Sequence, residues 1–211
     1  NNVETQIKEH RVMSRRRWIP FLMVLSLLLA FAGPAFASEG ADGTLKAKQT
    51  ELTAQLKKGK ASDAKKMDQI FDDLLDYNAL AKDSLGKHWD DLSEAERKEF
   101  QDMLKRLVKN AYRKNLKKTL NYDVTYDGTT EAKKGVLVKT VARSKTNARE
   151  EPVHIDYAMH KLDGRWVVGN ILTEGSSMVG NYRSQFGRVI KKNGFAELMR
   201  RMKKKADKDG A

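Results

Sequence analysis

Between Tyr122 and Leu172 the apolar residues of this chain alternate, and on either side they recur every three or four positions. A period of two places every second side chain on one face of a strand, whereas a period of 3.6 draws a stripe down a helix. The chain is therefore constrained to helices, then a sheet, then helices. Four strand-like runs follow one another through short links, and short links join antiparallel neighbours. The expected fold is α+β, a four-stranded antiparallel sheet packed against N- and C-terminal helices.

Within that frame, Ser38 to Gly43 reads as a linker and Leu45 to Lys58 as a weak helix, with Leu45, Leu52 and Leu56 its only large apolar residues. Gly59-Lys60-Ala61-Ser62 breaks it. Met67, Ile70, Phe71, Leu74 and Leu75 draw the next stripe, which continues through Leu80 and Leu85 to Gly86. Ser93 with Glu96 forms a capping box, in which each side chain satisfies the other residue's free backbone donor. A long helix follows, with Phe100, Met103, Leu104, Leu107, Val108, Ala111, Tyr112 and Leu116 on one face. Lys105, Arg106, Lys109, Arg113, Lys114, Lys117 and Lys118 occupy the other. Such a helix suits an anionic membrane; the commoner arrangement is a core stripe with solvated charges.

In the strand region, Asp127-Gly128 reads as a turn and Asp163-Gly164 as the turn of a hairpin. Val153, Ile155, Tyr157 and Met159 alternate with an outward set that includes His154 and His160. After Glu174-Gly175, a helix carries Met178, Val179, Tyr182, Phe186, Val189 and Ile190 to a C-cap at Asn193-Gly194. A last helix spans Phe195 to about Lys205, and the basic tail frays beyond it.

Residues 13–37 combine a basic start at Arg15-Arg16-Arg17, an apolar run from Ile19 to Ala32, and small residues at Ala35 and Ala37. These are the three parts of a secretory signal peptide. The run of about 14 residues falls short of the ~20 needed to cross a roughly 30 Å hydrocarbon core. Residues 1–12 read as an upstream extension or a mis-called start, and 38–211 as a single exported domain. The chain carries 41 Lys+Arg against 28 Asp+Glu, a formal charge of +13. Removing residues 1–37 takes away five cations and two anions, so the remainder stays basic. An exported protein rarely meets nucleic acid, so none is expected as a partner; membrane headgroups, an acidic protein or simple solubility each account for the charge. With no cysteine, a disulfide framework, a thiol nucleophile and thiolate-bound metals are excluded. Export without disulfides fits a bacterial periplasm.

Catalytic signatures are missing. There is no phosphate-cradling glycine motif. Gly175-Ser176-Ser177-Met178-Val179 lacks the second glycine of a nucleophile elbow. His88, His154 and His160 lack metal-ligand spacing, and the adjacent pairs Asp72-Asp73 and Asp90-Asp91 point apart rather than converge. The residues give no case for an enzyme, a metal or a cofactor.

Several short patterns together resemble the MlaC family of periplasmic phospholipid-binding proteins. They are Leu85-Gly86-Lys87-His88-Trp89, Leu92-Ser93-x-x-Glu96-Arg97 with Phe100, and Pro152-Val153-x-Ile155-x-Tyr157. Gly164-Arg165-Trp166-x-Val168, Glu174-Gly175-x-Ser177-Met178, Asn181-Tyr182-Arg183-Ser184-Gln185-Phe186 and Gly194-Phe195-x-x-Leu198 complete the set. One departure is Asn170, where many members carry Asp; another is the strongly basic long helix and tail. The resemblance implies an NTF2-like cone with a deep apolar pocket between sheet and helices. It also implies a shuttle carrying phospholipid between an outer-membrane lipoprotein–porin complex and an inner-membrane ABC transporter complex with an MCE-domain protein. At about 0.8 kcal/mol per CH₂, exposing two chains of roughly 16 carbons to water costs about 25 kcal/mol, so a carrier must enclose them. The pocket would be near the top of the usual range, roughly 1,000 Å³.

The expected lining comes from the inward faces: Val136, Val138, Val153, Ile155, Tyr157 and Met159, then Trp166 and Val168. The helices add Leu104, Val108 and Tyr112, then Met178, Tyr182 and Phe186. For each, plain core is the competing role. Arg183 is a candidate for a headgroup phosphate, with a solvated or partner-facing charge the commoner role. An adaptor with a filled core, binding envelope proteins through its basic faces, is the alternative function; a small enzyme on the same fold is weaker still.

Overall fold

The computed structural model describes residues 40–59 and 64–210, with backbone alone for 114–117. The signal-like segment 13–37, the stretch 1–12, residues Lys60 to Ser62 of the expected breaker and the side chain of Leu116 lie outside the described residues. The helices are α1 (Ala41–Lys57), α2 (Ala64–Leu74), α3 (Tyr77–Leu85), α4 (Glu94–Thr119) and α5 (Met178–Gly210). Between α4 and α5 come β1 (Tyr122–Glu131), β2 (Val136–Ser144), β3 (Val153–Leu162), β4 (Arg165–Thr173) and the two-residue β5 (Ser176–Ser177). The sheet runs in chain order from β1 to β5, every neighbouring pair antiparallel. The α+β expectation holds, with five strands rather than four.

The differences have local causes. Helix α1 starts at Ala41, inside the expected linker, with Asp42 in its first turn where a negative charge favours the helix start. The second stripe does not run on as one helix. Leu75 bridges Val168 in parallel, and the Asp76 amide donates to the Val168 carbonyl at 3.0 Å. The free edge of β4 beyond short β5 thus captures the chain. Asp76 then caps α3 by accepting from the Ala79 amide at 2.9 Å.

The capping box at Ser93 and Glu96 forms in both directions, at 3.3 and 2.9 Å, and contributes about 1 kcal/mol. Asp127-Gly128 is not the expected turn. It is a bulge inside β1, because the register slips between Tyr126 and Gly128 and pairing then resumes to Glu131.

Gly194 ends the first half of α5, as expected, at φ 83°, a conformation glycine adopts without strain. The second half does not fray near Lys205. Leu198, Met199, Met202 and Ala206 are buried, and Asn110 Nδ2 donates to the Ala206 carbonyl at 2.9 Å, so the helix continues to Gly210.

The basic face of α4 is not simply solvated. Lys109 reaches Asp72 at 2.7 Å, Lys105 reaches Asp72 at 3.0 Å and Arg113 reaches Asp68 at 2.6 Å, all on α2. Arg106 pairs with Asp207 of α5 at 2.8 Å. Burial opposes ionisation of Asp72, but the Lys109 and Lys105 ammonium groups outweigh it and hold the carboxyl below its usual range. The deepest core joins helices to sheet through Phe71, Phe100, Leu80, Leu104, Val138, Met159 and Val168.

Candidate functional site

Where β4 meets α4 and the start of α5, the side chains leave an apolar cavity of about 250 Å³. Its walls are Leu75 and Leu80 from α2–α3, Val108, Ala111, Tyr112 and Thr119 from α4, Val168 and Ile171 from β4, and Met178 and Tyr182 from α5. Of the expected lining residues, Val108, Tyr112, Val168, Met178 and Tyr182 meet here. Leu75, Leu80, Ala111, Thr119 and Ile171 were not anticipated as lining.

The remaining expected residues lie elsewhere. Leu104, Val138 and Met159 are fully buried core. Phe186 stacks on Tyr182 at 5.3 Å and meets Phe100 edge-on at 5.6 Å, buttressing the wall from behind. Trp166 is half-buried, with the Lys161 ammonium 5.4 Å above its ring. Val136, Val153 and Ile155 are half-buried on the sheet, and Tyr157 is buried beneath α1.

Three features set the shape. Asn170 orients the start of α5: its Oδ1 accepts from the Ile171 and Val179 amides at 2.9 and 3.2 Å, while its Nδ2 donates to Ser177 Oγ at 2.9 Å. An aspartate at this position would lack that amide donor. Ser177 Oγ also accepts from the Gly180 amide at 3.0 Å, so the serine of the elbow-like run is a helix cap. Tyr112 closes the inner wall, tilted against Phe71 at 4.4 Å, with burial raising its phenol pKa.

His160 departs from the expected solvated role. Gly169 leaves room for its ring, which an added Cβ would approach to 3.0 Å, and Nε2 sits 2.9 Å from Asp76 Oδ2. The pair ties β3 to the α2–α3 junction that supplies Leu75 and Leu80 to the cavity. His154 is exposed, as expected. Arg183 does not face the cavity mouth; its Nε donates to the Asp83 carbonyl at 2.7 Å at the end of α3. Asp72 and Asp73 turn to different partners, Lys109 and Lys48. Among the described residues no group of three or more His, Asp or Glu could hold a metal, and no helix is long and apolar enough to cross a membrane.

The site offers apolar contact and phenol hydrogen bonds at its walls. Its volume lies below the roughly 1,000 Å³ expected for two acyl chains.

A family model described as MlaC protein matches residues 44–204. Among solved structures, a phospholipid-binding protein from Ralstonia solanacearum, determined in complex with a phospholipid, is similar in fold, with a TM-score of 0.69. The two share 22% sequence identity over 82% of this chain and 99% of that one. No curated protein matches the chain.

Proposed function

The chain belongs to the MlaC family, and from that premise we propose that it binds phospholipid and carries it across the bacterial periplasm. On this reading residues 13–37 are a cleaved signal peptide and 38–211 the working domain. The protein acts as a carrier and not as an enzyme, exchanging lipid between an outer-membrane lipoprotein–porin complex and an inner-membrane ABC transporter complex with an MCE-domain protein. The observation that carries the reading is the apolar cavity between sheet and helices, in a fold similar to one solved with phospholipid bound. Val108, Tyr112, Val168, Met178 and Tyr182 are the residues proposed to touch acyl chain first. Tyr112 and Tyr182 present phenols within a mostly apolar wall, the kind of group that can meet a lipid's ester region.

Native mass spectrometry of the chain exported to a bacterial periplasm and purified without detergent tests this. A stoichiometric diacyl phospholipid is the expected result; a folded, empty, monodisperse protein overturns it. The small cavity favours a second reading, an adaptor with a largely filled core that binds envelope proteins without lipid. Ala111→Phe separates the two. Filling the cavity abolishes lipid carriage by a shuttle but leaves an adaptor's partner binding intact.

A further inference from the structure

The inner face of the sheet, where an acyl chain was expected, is occupied by α1. This helix packs on β1, β2 and β4 as well as α2. Its inward stripe buries Ala41, Leu45 and Leu52, yet it also carries two glutamines. Gln49 accepts a hydrogen bond from the Tyr126 hydroxyl at 2.6 Å and donates to the Tyr157 hydroxyl at 3.3 Å. Gln55 is 4% exposed, and its Oε1 has no partner among the described residues. A buried amide oxygen without a partner is costly, and a helix meant to seal a permanent core would place an apolar side chain there.

We infer that α1 is a displaceable cover over a second acyl-chain site on the inner face of the sheet, held in place by Gln49 on Tyr126 and Tyr157. This rests on the carrier reading above. Three observations converge on it. The open cavity is too small for two chains, so a diacyl ligand needs more apolar volume than the cavity provides. The face under α1 adjoins that cavity: α1 packs on β4, and β4 supplies Val168 and Ile171 to the cavity wall. Finally, an acyl chain would cover Val138, Ile155 and Met159 with an all-apolar surface, whereas α1 covers this face with a stripe interrupted by amides. The two phenols released from Gln49 would then be free to donate to the ester carbonyls of the incoming lipid. Gln49 is thus a positioning residue, which acts by holding the cover and not by touching the lipid.

Hydrogen exchange followed by mass spectrometry on the full chain, purified from a bacterial periplasm, tests the inference. The protein is compared as isolated with lipid and after solvent extraction and refolding, and intact native mass reports its loading. In the loaded protein, amides of 41–57 should exchange at least tenfold faster than in the empty one, while those of α4 and β3 keep their protection. Gln49→Ala should speed exchange of 41–57 in the empty protein to a similar degree without changing α4. Tyr126→Phe, which keeps the ring, should do so to a smaller degree if the alanine variant fails to fold. Lipid bound with α1 equally protected in both states overturns the cover and leaves the carrier reading standing. A chain that never holds lipid overturns both, and the native mass tells these two outcomes apart.

Discussion

Helices α1 and α2 pack side by side on the same body but are attached in different ways. Helix α2 has 11 residues and buries Met67, Ile70, Phe71 and Leu74 on one unbroken stripe. Its opposite edge places Asp68 and Asp72 on the cations of α4, so both faces are engaged. Helix α1 has 17 residues and buries only Ala41, Leu45, Leu52 and Gln55. Among the described residues, its side-chain hydrogen bonds to the sheet pass through Gln49. Helix length therefore says little about attachment; continuity of the apolar stripe and the number of faces engaged decide it. On this view α2 is a fixed part of the helical layer and α1 a removable cover on the sheet.

The sharpest way to break that contrast is to truncate one buried anchor on each helix. Phe71→Ala should cost about 3–5 kcal/mol in denaturant unfolding, because the ring is 1% exposed and packs on Tyr112. Leu45→Ala, at a site 0% exposed, should cost less than about 2 kcal/mol, because α1 can undock on its own and cap the loss. Equal losses at the two sites would show that α1 is as much a part of the cooperative core as α2.

Alkaline pH should release α1 first. Burial, with Asp42 adding to it, pushes the Tyr126 phenol up to about 12, and burial drives Tyr157 upward as well. A folded-state pKa raised above the ordinary value of about 10 means stability that is complete below pH ~10 and lost as pH climbs toward the folded pKa. At most about 3 kcal/mol is at stake at Tyr126, and solvent screening of this part-exposed group reduces it. Exchange protection of 41–57 should fall over that window, in step with phenolate absorbance, and Tyr126→Phe should remove the step. Protection that stays flat to pH 12 in the unmodified chain would count against the tyrosine tie.

The ion-pair side of the contrast is smaller. Asp72→Asn should lower stability by about 1 kcal/mol, since the carboxylate is part-exposed but its partner Lys109 is only 11% exposed. The Asp72 carboxyl is held below its usual range, so its contribution is present above that range and disappears as pH falls through the folded value. Stability curves of the two proteins should therefore converge in acid. A constant gap at every pH would mean that the loss comes from packing and not from charge.

How far such features could be read from the sequence depended on how local they are. The capping box at Ser93 and Glu96, the strand alternation through Val153 to Met159 and the break at Gly194 each depend on neighbours within a few residues, and each appears where periodicity and cap chemistry put it. Asp127-Gly128 misled because turn propensity is local while strand pairing is not: Lys139 and Thr140 opposite keep β1 in the ladder across the bulge. The break at Asp76 had an available signal, a capping aspartate, but its other cause is the free edge of β4, far away in the chain. The cavity divides in the same way. A stripe marks Val108 and Tyr112 as inward, but whether inward means cavity or packed core depends on what faces them. Leu104, one turn earlier on the same stripe, meets core, and Val138, Ile155 and Tyr157 lie on the face that α1 occupies. The weakness of α1 was visible in its three leucines; that it nevertheless docks on the sheet was not.

The smallest expected effect tests whether charge contributes to holding the cover. Lys48 is a charged link from α1 to α2, reaching Asp73 at 3.3 Å while also facing Glu51 at 3.6 Å on its own helix. Asp73 is more than half exposed, so solvent screens the pair and Lys48 divides its charge between two carboxylates. Lys48→Ala should change stability by no more than about 0.5 kcal/mol, and exchange of 41–57 by less than Gln49→Ala does. A larger effect from the lysine than from the glutamine would move the hinge of the contrast from the sheet to the α1–α2 seam. The cover would then be clamped at its edge, and the tyrosines beneath it would be packing and not a latch.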